Sequence, residues 1–467
     1  MLLVAVLAAA ALLQVGVWAT TCNPAYVTQR GKVLTVKPTG VDDTANIQCA
    51  LNKAVSLGVG STVQLQCGTY FTGMIEVTGF TGTFKGAGKE MTIIHSLPNL
   101  PCGEVESAGF PSLFKFRLCH ARVADLTIDI NDPLPCQPWS WGQMLGDIIH
   151  ITDLPINVTA CADLPGPSSS HMTVERVGLK GMGNWVDGYN ANVGLAVMPE
   201  CVGAQTHKLA GTFVVAGCTF ERLEYALGGA QLADSMFRVG GSPALRNTAS
   251  DTRQTVYFAD FDNSLVEISH NDLEGNWAVI QGYEGNSVTP TAPSSFLVSH
   301  NTIRADGGAD GMYLADWTSP DVGKMLWATI FDNDFLMNVD CCGAINGWWN
   351  TKDVLVVNNR FTGHSAYGVA LGFVSRGTDT GWKLLFDDFN NLEVGWVPVY
   401  LGEYSSGCLI VEGRDKFDVL DEGTDNRIIG GNSPSDIAHS SSISGVAPRP
   451  DISEAIQKKI DKMKLHR

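Results

Sequence analysis

Charge is scarce in this sequence, and basic charge is scarcer. Of 467 residues 17% are Asp, Glu, Lys or Arg, and 31 Lys and Arg stand against 48 Asp and Glu, a formal net charge of −17. That balance excludes binding to nucleic acid, or to an anionic membrane surface, by simple attraction; an anionic substrate needs a local basic patch or a bound cation. The 12 cysteines include no C-x-x-C pair, and Cys341 and Cys342 are adjacent, so the spacing of a zinc site is missing. Lys and Arg are also missing ahead of the apolar run at residues 1–19, MLLVAVLAAAALLQVGVWA. The run still reads as a secretory signal ending in Val17-Trp18-Ala19 before Thr20. Without a basic lead, a membrane anchor or a start codon set too far downstream are the alternatives, and no membrane contact beyond export is expected.

What is present points to strands and turns. Hydrophobic residues make up 45% of the chain and Gly contributes 50, a composition that suits a long core with many tight turns. An even cysteine count behind an export signal places the chain in an oxidising compartment: secreted or extracellular, with the periplasm or cell surface equally compatible. Most of the cysteines are expected in disulfides. Cys49, Cys67, Cys102, Cys119, Cys136, Cys161, Cys201 and Cys218 crowd the N-terminal half, where long loops need staples, and the pairing is not readable from spacing.

From Leu265 to Phe417 one phrase returns: VEISHNDL, FLVSHNTI, ATIFDNDF, VLVVNNRF, then the looser LLFDDF and GRDKF. Its polar anchors are Asn271, Asn301, Asn333, Asn359, Asp387 and Asp415, at intervals of 30, 32, 26, 28 and 28, each followed two residues later by Leu273, Ile303, Phe335, Phe361, Phe389 and Phe417. Units of this length that alternate apolar and polar residues predict an all-β, single-stranded solenoid, a parallel β-helix of roughly ten coils. The Asn residues are expected to stack at one corner, tolerating unusual backbone angles and bonding from coil to coil.

Ahead of the repeat, VLTVKPTG is an entry strand, and Ile47, Ala50, Leu51, Ala54, Val55 and Leu57 keep helical spacing. They predict a helix over 44–57, capped by Asp43 or Thr44 and stopped by Gly58, that covers the open end of the stack. Residues 20–431 form one elongated domain, with a Pro-rich loop inserted at about 131–170. A polar linker from 432 and a short helix over 451–467 end the chain.

The order D-D-T-x-x-I-Q-x-A-L, T-V-x-L-x-x-G-T-Y and G-T-F-K-G-A-G-x-x-x-T-I-I over residues 33–94 resembles the opening of the pectate-lyase superfamily, secreted right-handed parallel β-helix proteins. The resemblance implies a right-handed helix. It extends to lyases, hydrolases, epimerases and phage tail proteins, so it leaves the activity open.

After each N-x-F corner comes a second strand. If Ile280, Leu314, Ile345, Leu371 and Leu401 point inward, alternation sends Gln281, Tyr313, Asn346, Ala370 and Tyr400 outward on one face. Tyr313, Trp317, Trp348 and Tyr400, with Asn346, then line a groove whose aromatic faces suit a polysaccharide. Asp310 and Asp316, with Glu284 and His364 on neighbouring coils, are the candidate catalytic groups. Asp310-Gly311-Met312 resembles the D-G-I phrase of the polygalacturonase group, whose later Asp-Asp pair and Gly-His-Gly are absent here. Two carboxylates flanking a glycosidic bond serve hydrolysis, a base with a charge-stabilising group serves elimination from a uronic acid, and acids on adjacent coils suit calcium. Arg304, Lys324 and Arg376 are further charge-stabilising candidates. The favoured activity is that of a polysaccharide lyase or glycoside hydrolase; the alternative is a non-catalytic surface or adhesive protein that binds glycan or a partner. Nothing in the pattern speaks to oligomeric state.

Overall fold

The computed structural model describes residues 22–98, 112–130, 146–153, 168–183, 192–199, 208–284, 292–308, 310–316, 326–372, 377–413 and 416–430. Residues 1–19, read as a signal, Asp415, residues 432–467 with their expected linker and helix, Trp317, Lys324 and Arg376 lie outside them. Apart from the antiparallel pair Val27–Arg30 with Val33–Val36, each strand of the main sheet pairs in parallel with strands from the coils before and after it. The strands fall on three faces that wind into a right-handed parallel β-helix, the hand that twisted strands impose on parallel crossovers. On one face, fourteen strands follow one another among the described residues, from Val33–Val36 to Arg427–Ile429. The stack is therefore longer than the repeat phrase alone indicated, because coils outside that phrase keep the same pairing.

Helix α1, Thr44–Leu57, is where the apolar spacing placed it, and it buries Ile47, Ala50, Leu51 and Ala54 at the N-terminal end of the stack. Gly58 ends it with φ 75°. Asp43 does not cap it: its carboxylate accepts from the Thr39 and Phe71 backbones at 2.7 and 3.1 Å, tying helix entry to the second coil. The span 131–170 is not a single loop. Asp147–Thr152 is a strand inside it, pairing with Ser112–Arg117 below and Val193–Val197 above. Its apolar run Ile148, Ile149 and Ile151 was obscured by the surrounding prolines.

The polar corner column forms as the repeat required. Asn247, Asn271, Asn301, Asn333, Asn359 and Asp387 make a chain of side-chain bonds of 2.9 to 3.0 Å, each Nδ2 donating to the next Oδ1. The unusual angles sit one residue earlier, at His270, His300, Asp332 and Asn358, with φ between 53° and 58°. The preceding residue makes the left-handed turn, which leaves each Asn free to aim inward. Beside this column Phe335, Phe361 and Phe389 stack at 4.9 and 4.5 Å between centroids, worth about 0.5–1.5 kcal/mol per pair beyond burial. A second, unforeseen column joins Gly211, Ser235, Ser264 and Ser294, each backbone N–H donating to the next hydroxyl at 3.1 Å.

Cys22–Cys49 ties the N-terminal strand to α1, and Cys341–Cys342 closes on itself. Cys67, Cys119, Cys218 and Cys408 are free, and the last three are buried; Cys102, Cys136, Cys161 and Cys201 lie outside the described residues. Cys119 and Cys218 thus serve as small apolar core residues rather than staples.

At the end of the Asn column, burial pushes the Asp387 carboxyl up to about 7, against the pull of the Asn359 donors. An acid whose folded value exceeds its unfolded one of about 4 loses stability as pH rises through that window. Asp387→Asn keeps an acceptor for Asn359 and supplies a donor like those of the other column members. We expect its Tm at pH 8 to exceed the parent's by an increment corresponding to about 2–4 kcal/mol, with the two proteins converging near pH 4; equal Tm values at pH 8 would count against a raised Asp387 carboxyl.

Candidate functional site

Five strands of the third face carry the candidate residues: β1, Ala278–Glu284; β2, Asp310–Asp316; β3, Gly343–Trp348; β4, Arg360–Leu371; and β5, Asp388–Leu401. Their register places Gln281, Tyr313, Asn346, Ala370 and Tyr400 in one column, flanked by the buried Ile280, Met312, Ile345, Val369 and Val399 on one side. The column expected from alternation therefore exists in register, but Asn346, Ala370 and Tyr400 within it are buried and only Gln281 and Tyr313 reach partly toward solvent. The inward residues grouped with it belong to two adjacent columns, since Ile280 aligns with Met312 while Leu314 aligns with Gly282 and Gly347.

Asp310 begins β2, three residues ahead of the column. Its carboxylate accepts from the Gly343 N–H at 3.3 Å and from the Asn346 side-chain amide, both one coil above. Burial raises this carboxyl to about 6, and those two donors hold it from going higher. One coil further on, Tyr367 in β4 pairs with Gly343. Burial first, and then the Asp310 charge, push the Tyr367 phenol up, while its bond to Asn346 opposes them. Asp310, Asn346 and Tyr367 are thus one connected polar group in which a half-buried acid and a phenol share an amide. The Asn346 Oδ1 is buried without a partner.

Gly343 makes that approach feasible. A Cβ there would lie 2.1 Å from the Tyr367 ring, so Gly343→Ala must displace the phenol or its strand. We expect this variant to fold, with any activity of the site reduced at least tenfold, and a wild-type rate in a folded Gly343→Ala protein would remove Tyr367 from the site.

The aromatic neighbours partly assemble. Tyr313 and Trp348 lie 5.6 Å apart between centroids and Trp348 meets Trp349 at 5.3 Å; the Trp348 Nε1 is buried and unpartnered. Tyr400 lies two coils above Asn346, only 8% exposed, packed on Trp396 at 4.4 Å and donating to Glu422 at 2.9 Å. On the other side, Gln254 bonds to Gln281 at 2.6 Å, and Arg253, ion-paired with Glu224, lies over the half-exposed Trp277 ring at 5.0 Å.

Other candidates are not brought to Asp310. Asp316 ends the same strand, about 20 Å away for six residues, and is 2% exposed. The strand runs unbroken from Asp310 to Asp316, so the two acids cannot flank one bond. Glu284 is the strand neighbour of Asp316, and its side chain lies outside the described residues. His364 sits on the preceding face, about half exposed, 3.5 Å from Asp340, and Arg304 pairs with Asp272. Among the described residues no three His, Cys, Asp or Glu side chains converge to hold a metal ion. Tyr367 was missed in the sequence, although it precedes Ala370 by the same three residues that separate Asp310 from Tyr313.

No protein-family model and no curated protein sequence matches the chain. Solved structures do. The A-module of a mannuronan C-5 epimerase from Azotobacter vinelandii superposes with a TM-score of 0.42 at 12% identity, over 84% of this chain and 97% of that one. The Dettilon tailspike protein gives 0.48 at 11% identity, over 84% and 68%, and PfbA, a surface adhesin of Streptococcus pneumoniae, gives 0.44 at 11%, over 79% and 91%.

Proposed function

We propose that the protein is an exported polysaccharide-cleaving enzyme in which Asp310 is the proton-transferring group, and that elimination from a uronic acid is its reaction. The observation that carries this reading is a carboxyl raised to about 6, held by Asn346 and Gly343 beside the Tyr367 phenol. A group with that affinity is ionised at neutral pH yet basic enough to take a proton. In elimination Asp310 removes the proton beside the sugar carboxylate, the bond to the leaving oxygen breaks as the ring double bond forms, and Tyr367 gives its proton to that oxygen. The Asn346 amide spends its hydrogens on Asp310 and Tyr367, and its part is to hold the acid and the phenol together. Hydrolysis by Asp310 and Asp316 as a pair is disfavoured because paired carboxylates must stand within about 10 Å, and six residues of strand hold these two at about twice that distance. Tyr313 and Trp348 supply ring faces for the sugars.

The test is a panel of acidic and neutral polysaccharides. New ultraviolet absorbance of an unsaturated uronate supports elimination. Reducing ends without that absorbance would replace it with hydrolysis, and glycan binding without either product would favour the non-catalytic surface protein.

A further inference from the structure

Cys341 and Cys342 occupy the corner between the second-face strand Asp334–Val339 and β3, with Cys341 exposed and Cys342 half-buried. Their disulfide closes a ring through the peptide bond that joins them, which restricts the backbone of both residues. Two hydrogen bonds leave that restricted segment for the site. The Cys342 carbonyl accepts from the Ala366 N–H at 3.0 Å, immediately before Tyr367. The next backbone group, the Gly343 N–H, donates to Asp310 at 3.3 Å. One short segment thus grips the coil below through Asp310 and the coil above through the residue that leads into Tyr367. No other described cysteine pair stands near these groups; Cys22–Cys49 belongs to the capped end.

We infer that the Cys341–Cys342 disulfide is a positioning element of this site, holding the Gly343 N–H on Asp310 and the Tyr367 strand in register, and that an external dithiol opens it and loosens both. The exposed sulfur is the point of attack. A dithiol thiolate such as that of dithiothreitol forms a mixed disulfide with one cysteine as the S–S bond breaks. The reagent's second thiol then displaces it, so that two electrons and two protons pass to the cysteines and the reagent leaves as its cyclic disulfide. Freed from the ring, the 341–343 backbone regains conformers in which the N–H no longer points at Asp310. An ionised carboxylate that loses a donor becomes a stronger base.

The inference rests on Asp310 being the proton-transferring group, but its test needs no substrate, so it can fail while the cleavage reading stands, and the reverse. Mass spectrometry of the non-reduced 341–342 peptide should show it two hydrogens lighter than the dithiol form. Carbon NMR titration of labelled Asp carboxyls, with Asp310 identified by its absence in Asp310→Asn, then follows the full-length protein before and after dithiothreitol. The Asp310 midpoint is expected to rise by about half a unit or more on reduction. It should rise likewise in a Cys341→Ser, Cys342→Ser double variant without reductant, and should stay unchanged in a Cys22→Ser, Cys49→Ser control. If the double variant fails to fold, reduced wild-type protein carries the comparison. Free thiols at both positions in protein kept oxidised, or an Asp310 midpoint that reduction leaves in place, overturns the inference.

Discussion

Asp310→Asn is expected to lower kcat/KM about a thousandfold on whichever polysaccharide the panel returns, the scale of a lost acid–base group. Asn keeps the shape and an acceptor for Gly343 and Asn346, but it cannot take a proton. The loss should therefore fall on kcat, with KM little changed, because the Tyr313 and Trp348 rings proposed to hold the sugars are untouched. Stability should not suffer. Burial raises the Asp310 carboxyl to about 6, so its ionised form costs the folded state above that pH, and removing the charge relieves the cost. In the parent, activity should rise with pH as Asp310 ionises near 6, and in a Tyr367→Phe variant that limb should persist while the rate falls. A folded Asp310→Asn protein with an undiminished rate would move the chemistry elsewhere on the helix.

The parts of this molecule that were legible beforehand are those written more than once. The Asn271-to-Asp387 column and the Phe335, Phe361 and Phe389 stack recur at a fixed phase, so chance agreement is small and the stacking follows from strand geometry. The Ser235, Ser264 and Ser294 column does the same physical work, and each Ser also precedes a buried apolar residue by two positions, Phe237, Val266 and Phe296; but serine is common on any strand-rich surface, so the phrase does not stand out in the sequence. The column through Tyr313 and Asn346 was accessible from alternation alone. Tyr367 was not, because it sits before a corner where two consecutive residues turn inward and simple alternation fails: both Gly311 and Met312 are buried between the outward Asp310 and Tyr313. Asp310 and Asp316 stand at opposite ends of one unbroken strand, a separation that the strand rise alone gives.

Asn301→Ala is expected to be the most damaging single change in the corner column, costing about 3–5 kcal/mol. The Asn301 Oδ1 accepts both the Asn271 N–H and its side-chain amide, each at 2.9 Å. Its own Nδ2 donates to the Ile268 carbonyl at 2.9 Å and to Asn333 at 3.0 Å. The site is 2% exposed, so water does not replace what Ala removes, and the Asn271 N–H is left orphaned in the interior. The column ends should respond less. Asn247 has a neighbour of its own kind on one side only, and Asp387 already sacrifices stability through its buried charge. Because each coil touches chiefly the coils beside it, the lesion should spread as local opening rather than as a uniform loss. Hydrogen exchange should accelerate first in Leu265–Ser269 and Ser294–Ser299, the strands leading into the two corners, and last in α1. Equal protection along the whole stack in Asn301→Ala, with an unchanged Tm, would mean that the column is decoration on a core held by its aromatic stack alone. The direction of spreading separates the two accounts: a hydrogen-bonded column transmits loss along the corner to Asn333 and Asn359, whereas a purely apolar core confines it to the coil that lost its side chain.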